Sequence, residues 1–511
     1  CLQPGAELMA NGEFHDYCRE LRKKDSCDFF LNLKHKTTRE LCLEKTAIPL
    51  HVEEFKSICK EHDLCPYEMA ALQGKEAKVI IADYYHILSP SIRESLLRRI
   101  QKNLSESIIY FDEAHNLPEK CRSLLTTNLS TLTIERALKE NKIYNFDYEE
   151  ELQAIYDNLL QLAKTMPIEK NEVLIKKQEF HVDTSLIEPM KEAAEIVREE
   201  QKKSSLGGVA HFLESWLGPD QAFTRMIQRG FTKTSKPYYN LSYQCLDPSL
   251  LMNQIEAHSL IFMSGTLSPT SMYLDLLGLS HKNTLVLEYD NPFPQKNRLN
   301  IIVPTTTTKF TKRDDAMYKR ISKICSDIVN VVPGNSALFF PSYDLRDKVN
   351  YYFKHECEKT IILEYPKLTK QEKQETIDTF KSYSKTGATL LGAASGSFGE
   401  GIDLPGDLLK AVIIVGLPLA KPDLRTQELI NYYDKKFAKG WDYAYVYPAI
   451  IKSLQNAGRC IRSETDKGCV IFLDERYAWE NYKKCFPHDA NFEITKLPQD
   501  RVKEFFSQIK E

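Results

Sequence analysis

The stretch Ser107–His115, with the sequence SIIYFDEAH, decides the fold class of this chain. Its first half is a short run of β-branched and aromatic residues, and two acidic residues, Asp112 and Glu113, follow directly. Continuous apolar runs of this kind suit parallel strands that are buried on both faces. Amphipathic stretches separate the runs, which implies right-handed crossover connections. The sequence therefore predicts an α/β fold on parallel sheets, with further strands in the apolar runs that begin at Lys78, Ser259, Ser336, Ala411 and Gly468.

Length and composition bound the class of protein. The chain has 511 residues, of which 42% are hydrophobic and 27% charged, so several globular domains are expected rather than a disordered or fibrous chain. The net charge of −3 gives no global attraction for nucleic acid, so such a partner needs a local basic groove. The longest apolar uncharged run, Ala411–Ala420, is about half the length of a membrane span. We therefore expect no membrane partner.

The cysteines are distributed unevenly. Six of the 13 fall within the first 65 residues, namely Cys1, Cys18, Cys27, Cys42, Cys59 and Cys65. An odd total in a long chain argues against a disulfide framework and for a reducing compartment, cytoplasmic in a prokaryote or nuclear in a eukaryote. The crowding at the N-terminus indicates a metal site, although the Cys-x-x-Cys pairs typical of zinc are missing from the sequence.

Between residues 131 and 240 the alternation of strands and helices stops. The segment from Glu150 places apolar residues at Leu152, Ile155, Leu159 and Ala163, which is helical spacing. This region is predicted to be a helical insertion in an α/β domain, with strands returning near residue 243. The run Pro304–Thr308 is predicted to be a loop of a second α/β unit.

An acidic pair follows the strand of the opening stretch. Ligand sites in such sheets lie beyond the carboxyl ends of strands. There Asp112 can hold a nucleotide-bound Mg²⁺, and Glu113 can orient or deprotonate an attacking water. The alternative is a solvated strand end.

A second motif is Gln455-Asn-Ala-Gly-Arg459-Cys-Ile-Arg462. On a helix, Arg459 and Arg462 share one face, and two guanidinium groups suit the charge of a transferring phosphoryl group. The alternative is a pair of surface arginines. Two stretches of small residues, Ser264–Thr266 and Gly396–Asp403, allow close approach to a phosphate or a nucleic-acid strand, or are ordinary βα turns.

In this order, the motifs resemble those of superfamily 2 helicases with a DEAH box. The wording FDEAHNLPEK and MSGTLSP, the insertion after the DEAH box and the preceding cysteines resemble the XPD-like iron–sulfur DNA helicases, relatives of bacterial DinG. The resemblance covers essentially the whole chain. It implies ATP-driven 5′ to 3′ translocation on single-stranded DNA and DNA forks, in DNA repair, by a monomer with possible repair-complex partners.

The resemblance also implies a domain plan of two RecA-like motor domains with an iron–sulfur domain and a helical arch. The expected ranges are residues 1–70 for the iron–sulfur domain, 71–130 and 243–270 for motor domain 1, 131–242 for the arch, and 271–511 for motor domain 2.

Site roles follow from the same resemblance. Asp112 serves Mg²⁺, Glu113 serves the water, and His115 links the nucleotide site to motor closure. The residues expected to close over ATP are Gln455, Arg459, Arg462, Gly401 and Asp403. Ser264 and Thr266 are expected to contact DNA.

The family holds a 4Fe-4S cluster by four cysteines ahead of the DEAH box, the last before Pro-Tyr, as in Cys65-Pro66-Tyr67. Matching backward gives Cys27, Cys18 and Cys1. The alternatives are a four-cysteine zinc site, or Cys42 or Cys59 in place of one ligand.

The expected DNA track combines cations with exposed rings, for phosphates and bases respectively. Lys309, Phe310 and Arg313 sit where the family has a DNA-contacting loop, and Trp441 where it has a stacking aromatic. The alternative for Trp441 is a buried core residue. A basic stretch from Arg225 to Lys236 is either a further contact or a solvated face.

One feature departs from the family. The phosphate-cradling Gly-x-x-x-x-Gly-Lys-Thr/Ser loop does not occur in the sequence. In the family it lies upstream of the first cluster cysteine. We therefore expect the first motor domain to lack its N-terminal strands here, and the 511-residue chain alone to be inactive. The alternative function is a non-catalytic helicase-like scaffold that binds DNA.

Overall fold

The computed structural model describes residues 1–5, 17–18, 21–201, 203–399, 404, 408–419 and 422–507, without the side chains of 199–201. The chain divides into two compact units. Unit 1 comprises Cys1–Met263 and Leu276–Gly278, and unit 2 comprises Ser264–Asp275 and Leu279–Glu511. The finer domain ranges expected from the sequence remain predictions.

The described residues of unit 1 form six strands and a larger number of helices. The strands are β1 Ile108–Phe111, β2 Thr127–Ser130, β3 Glu172–Leu174, β4 Phe223–Phe231, β5 Pro237–Cys245 and β6 Ser259–Phe262. The helices are Asp28–Leu31, Lys36–Lys45, Val52–Glu61, Pro66–Glu76, Tyr85–Leu88, Pro90–Ile100, Leu117–Leu124, Thr131–Ile143, Glu149–Lys164, Ile187–Gln201, Ser205–Trp216 and Ser249–Met252.

The opening stretch forms β1, as predicted, and β1 pairs in parallel with β6. Phe111 at the end of β1 stacks on Phe262 at the end of β6, with ring centroids 5.3 Å apart. Within the described ranges this sheet has two strands. Apolar side chains stay exposed on it, Ile108 by 51% and Tyr110 by 60%. An open sheet with exposed apolar residues is what the sequence predicted.

The apolar run from Lys78 is not a strand, so that prediction was wrong. The backbone at residues 79–83 lacks regular structure, and a short helix follows at Tyr85–Leu88. Val79 is 80% exposed and Ile81 is 97% exposed. A strand needs a neighbour for its backbone hydrogen bonds, and among the described residues β1 pairs only with β6.

The region expected to be a helical insertion is a mixed α+β body. The predicted helix from Glu150 is present as Glu149–Lys164, with Leu152, Ile155 and Leu159 buried. Strands β2 to β5 form an antiparallel sheet in the order β2-β5-β4-β3, and the long β4–β5 hairpin begins well before residue 243. Helical periodicity identified one layer of the body, but the alternating strand pattern of the hairpin was missed.

The described part of the first 70 residues forms short helices and loops, as predicted. Their core is small, and its buried members are Cys42, Cys59, Leu64 and Met69. Such a core contributes little to stability on its own.

Unit 2 is built on a larger sheet. Its strands are β7 Arg298–Ile302, β8 Ser336–Phe340, β9 Thr360–Leu363, β10 Ala388–Ala393, β11 Ala411–Val415, β12 Gly468–Leu473 and β13 Glu493–Ile494. Its helices are Asp315–Val331, Tyr343–Phe353, Lys370–Ser382, Leu424–Phe437, Tyr447–Ala457, Glu480–Lys483 and Pro498–Ser507, and Thr270–Leu277 joins the two units in sequence.

The seven strands run parallel in the order β13-β7-β12-β11-β8-β10-β9. Every residue of β8, β10, β11 and β12 is buried, because helices cover both faces of the sheet. The runs from Ser336, Ala411 and Gly468 are thus strands as predicted. The mixed α/β fold with parallel sheets is confirmed.

In the part of the chain that the structure describes, every helix is too short or too polar to cross a lipid bilayer.

Candidate functional site

The acidic pair lies at the carboxyl end of β1, where the sequence predicted it. Asp112 accepts a hydrogen bond from the Glu113 N–H at 2.9 Å, and its carbonyl accepts one from the Tyr84 hydroxyl. Glu113 has φ +48°, which turns the chain sharply away from the strand. The next N–H, of Ala114, donates to the carbonyl of Met263 at 3.0 Å. The pair is therefore held by backbone contacts to both sides of the β1–β6 edge.

The side chains around the acidic pair differ in exposure and in their contacts. The Glu113 carboxylate is 62% exposed, and its Oε2 lies 3.3 Å from Nδ1 of the nearly buried His115 imidazole. Burial, followed by the charges of Asp112 and Glu113, raises the pKa of Tyr84 to about 12. Tyr84 is thus a hydroxyl donor at neutral pH, beside the solvent-exposed carboxylate of Glu113.

The arginine motif differs from its predicted geometry. Gln455 lies on the helix Tyr447–Ala457, but Arg459 and Arg462 lie beyond its end. They do not share a helix face. The helix ends at Ala457, and further along the chain the carboxylate of Asp466 accepts the N–H of Arg462 at 2.7 Å. The motif is therefore a helix followed by a tight turn.

The structure brings Arg459 to the glycine-rich stretch. Strand β10 ends at Ala393, and a turn follows to Gly399. Arg459 Nη2 donates to the Gly399 carbonyl at 3.4 Å, and Asn456 Nδ2 donates to the Ala394 carbonyl at 3.2 Å. The two predicted nucleotide motifs of unit 2 are thus neighbours. Gly401 and Asp403, which the sequence singled out, lie outside the described residues.

The predicted DNA-contacting loop begins with three buried threonines, which form its base within the protein. Thr306, Thr307 and Thr308 are each 2% exposed. The Thr308 N–H donates to the carboxylate of Asp474 at 2.8 Å, and Arg476 Nη2 donates to the Thr308 hydroxyl at 2.9 Å.

Asp474 and Arg476 were missed by the sequence analysis. The detectable signal is an acidic residue directly after strand β12, in the same position relative to its strand as Asp112 relative to β1.

From this base the predicted contact residues project outward. Phe310 is 84% exposed, and the guanidinium of Arg313 lies 5.8 Å from its ring centroid. Arg313 Nε also donates to the Thr308 carbonyl at 2.8 Å. Lys309 is exposed beside them. An exposed ring flanked by cations on a fixed base is the chemistry of a single-strand track.

Trp441 is also exposed, by 53%, which excludes the buried-core alternative. It precedes a single π-helical turn, Asp442–Val446, and its ring lies 4.6 Å from that of Tyr445. In the same turn, the Tyr443 hydroxyl donates to Asp275 at 2.6 Å and anchors the segment.

The Ser264–Thr266 stretch is a turn in unit 2. The Thr266 N–H donates to the Ser264 hydroxyl oxygen at 3.1 Å. The predicted DNA contacts of these two side chains stay predictions.

The basic stretch near residues 225–236 is not one surface. Arg225 is 4% exposed, pairs with Asp220, and lies 4.4 Å from the ring centroid of Tyr243. It stabilises the hairpin. Arg229 bonds the carbonyl of Ile168 at 3.2 Å.

The four predicted cluster cysteines, Cys1, Cys18, Cys27 and Cys65, line one pocket. The pKa of Cys18 is raised by burial, then by the thiol of Cys65, and to a smaller extent by that of Cys27. The thiols of Cys18, Cys27 and Cys65 are therefore near enough to interact electrostatically.

Cys42 and Cys59 are arranged differently. Both are fully buried in the small N-terminal core and are hydrogen-bonded to each other. Neither residue lines the pocket of four.

The donor set of that pocket fits a 4Fe-4S cluster, because four thiols are the usual ligands of such a cluster. The thiols are not already gathered for a metal: across the described ranges, no three Cys, His, Asp or Glu side chains are grouped closely enough to hold an ion. All 13 cysteines are free thiols.

Comparison with known proteins identifies the class. Residues 1–134 match the DEAD_2 family, and residues 325–491 match the helicase C-terminal domain family. The chain is therefore an XPD-like member of helicase superfamily 2, as its motifs predicted.

Individual relatives are distant. The chain is 26% identical to the ATP-dependent DNA helicase XPD of Sulfolobus acidocaldarius, over 85% of this chain and 76% of that protein. It is 24% identical to the ATP-dependent DNA helicase CHL1 of Kluyveromyces lactis, over 93% of this chain. The chain spans 65% of the CHL1 protein, less than two thirds of its length.

Solved structures share the fold. An XPD helicase superposes with a TM-score of 0.60 at 22% identity, covering 88% of this chain and 80% of that one. The S. tokodaii Xpd4 structure gives a TM-score of 0.60 at 18% identity, covering 93% of this chain and all of that one.

Proposed function

We propose that this chain is the main part of an ATP-dependent DNA helicase that moves 5′ to 3′ on single-stranded DNA in DNA repair. The observation that carries the proposal is the acidic pair Asp112–Glu113, fixed at the carboxyl end of a parallel strand. Its relatives are named as DNA helicases and DNA repair factors, which supports the choice of substrate.

At the nucleotide site, each residue has a distinct task. Asp112 would hold Mg²⁺ on the ATP phosphates, and Glu113 orients the attacking water and receives its proton. His115, beside Glu113, fixes the direction of that carboxylate. Arg459 and Arg462 supply positive charge to the developing phosphoryl charge, with Gln455 from the adjoining helix.

For DNA, we propose that Phe310 and Trp441 stack on bases while Lys309 and Arg313 hold phosphates. Both rings are more than half exposed to solvent. Because burial of an aromatic ring is favourable, an exposed ring is suited to stack on a bound base. Ser264 and Thr266 add hydroxyl contacts.

We propose that Cys1, Cys18, Cys27 and Cys65 hold a 4Fe-4S cluster. The cluster supplies four metal–thiolate bonds that would tie together a domain with a small core. Burial raises the pKa values of Cys18 and Cys65, so these two thiols would have to lose their protons to serve as thiolate ligands.

The second candidate function is a DNA-binding scaffold without turnover. It is favoured by the missing phosphate loop, because Asp112 and Arg459 alone do not cradle the β- and γ-phosphates. Against it stand Glu113 and Arg462, for which a scaffold has no use.

The test is an ATP hydrolysis assay with and without single-stranded DNA, on a chain extended upstream to include the phosphate loop. Stimulation by DNA supports the helicase. DNA binding by a chain with intact fold and no hydrolysis supports the scaffold.

A further inference from the structure

A buried carboxylate of unit 2 belongs to none of the motifs described above. Glu364 follows strand β9 and has no exposed surface. Its Oε2 accepts the N–H of Ala393 at 2.9 Å, and its Oε1 accepts the N–H of Phe398 at 3.0 Å. The Tyr343 hydroxyl also hydrogen-bonds to it. A carboxylate is costly to bury unless such donors surround it, so the arrangement is specific.

The two N–H donors are the two ends of the turn after β10. Ala393 is the last residue of the strand, and Phe398 precedes Gly399. One side chain therefore clamps both ends of the turn. The clamp also explains a glycine: a Cβ at Gly396 would overlap both carboxylate oxygens of Glu364.

The turn in question carries the contacts of the arginine motif. The Gly399 carbonyl accepts a hydrogen bond from Arg459, and the Ala394 carbonyl accepts one from Asn456. Moving the turn would remove the carbonyl that accepts from the Arg459 guanidinium and the carbonyl that accepts from Asn456, near the end of the helix Tyr447–Ala457.

We propose that Glu364 is a positioning residue, which holds the Ala393–Gly399 turn in place and, through it, the side chain of Arg459. For ATP turnover this inference rests on the proposed function, because it assumes that Arg459 meets the nucleotide. The holding of the turn itself does not depend on that assumption.

The first measurement is amide hydrogen exchange over residues 389–399 of the 511-residue chain. In Glu364→Gln the carboxamide keeps one acceptor oxygen, so one N–H loses its partner. Exchange in the turn should accelerate at least about tenfold. The matched control is Glu358→Gln, the same chemical change at an exposed residue ahead of β9, which should leave the turn unchanged. Unchanged exchange in Glu364→Gln overturns the proposal.

A second variant covers the case in which Glu364→Gln does not fold. Gly396→Ala pushes a methyl group against the carboxylate and leaves every charge in place. It should also accelerate exchange between residues 393 and 399. A Gly396→Ala protein with parental exchange overturns the clamp.

The second measurement is a double-mutant cycle on DNA-stimulated ATP hydrolysis, with the upstream-extended chain. Glu364→Gln should lower kcat about tenfold with KM for ATP within about twofold of the parent. In an Arg459→Ala background the same change should cost little more, because its path of action is gone. Additive losses show that Glu364 does not act through Arg459. If the parent hydrolyses no ATP, the proposed function fails, and the exchange experiment still decides whether Glu364 holds the turn.

Discussion

At the scale of single residues, the proposed catalytic role of Glu113 can be tested most directly. Its carboxylate projects from a backbone with φ +48° that hydrogen bonds fix on both sides, so replacing the side chain should leave the fold intact. In the upstream-extended chain, Glu113→Gln should keep ATP and DNA binding while ATP turnover falls by roughly 10²–10⁴, the range for a lost general base. Glu94→Gln, at an exposed helical position, is the control. Turnover near that of the control removes Glu113 from the mechanism.

The exposed rings predict a binding loss that salt does not change. Stacking contributes about 1–3 kcal/mol per base, so Phe310→Ala or Trp441→Ala should weaken single-stranded DNA binding roughly 5- to 150-fold. The controls are Tyr351→Ala and Trp479→Ala, which remove rings that are 63% and 47% exposed elsewhere on unit 2. Fluorescence anisotropy at several salt concentrations gives the affinity. Equal losses in the control variants would mean that the rings act non-specifically.

Lys309 should show the opposite salt behaviour. If it neutralises one phosphate, Lys309→Ala should reduce the slope of log affinity against log salt by roughly 0.7. The control is Lys354→Ala, which removes an exposed lysine from another part of the unit. The same titrations provide the slope, and an unchanged slope places Lys309 off the DNA track.

At the scale of elements, the pocket of four cysteines separates ligands from core residues. Cys27→Ser or Cys65→Ser should abolish the iron content and visible absorbance of anaerobically purified protein. Cys42→Ala and Cys59→Ala should keep both, although they lose packing in the small core. Iron analysis with absorbance spectra is the measurement. Zinc without iron in the parent protein would refute the iron–sulfur cluster. Loss of the visible absorbance in Cys59→Ala would show that Cys59 is a cluster ligand in place of one of the four.

Several strands could be predicted because each one coincides with a strongly apolar run in the sequence. The runs at Ser336 and Ala411 form strands that are buried on both faces, and the run at Ser107 forms a strand although Ile108 and Tyr110 on it are exposed. The run at Lys78 has the same composition and is not a strand, because a strand depends on neighbours that composition does not reveal. The hairpin β4–β5 was missed although its strands are close in sequence, with pairs that run from Phe231–Pro237 to Phe223–Cys245.

The site shows the same division. The sequence indicated Asp112 and Glu113 because a strand end needs no tertiary information to locate. It placed Arg459 and Arg462 on one helix face, but the helix ends at Ala457, before both residues. Asp474 and Glu364 each directly follow a strand, which is a signal in the sequence, but the buried hydrogen bonds that they make are visible only in the structure.

At the scale of the whole molecule, the unequal sheets of the two units matter. The described part of unit 2 has a seven-stranded sheet, and the β1–β6 sheet of unit 1 has two strands with exposed apolar residues. Contiguous exposed apolar surface marks a place where something else packs. The absent Gly-Lys-Thr/Ser loop would belong on the same sheet in the family that the chain resembles.

These two features predict how activity depends on chain length. Hydrolysis needs backbone N–H groups and a lysine around the β- and γ-phosphates, and Glu113 and Arg459 cannot replace them. The 511-residue chain alone should therefore bind ATP weakly and hydrolyse almost none. A chain extended upstream by about 100 residues, roughly half a domain, should gain DNA-stimulated hydrolysis. It should also protect Ile108–Phe111 from amide exchange and bind less of a dye specific for apolar surface. A Lys→Ala change in the added loop is the control, because it should restore the sheet without the activity. A normal helicase rate from the 511-residue chain would show that a different phosphate site exists within it.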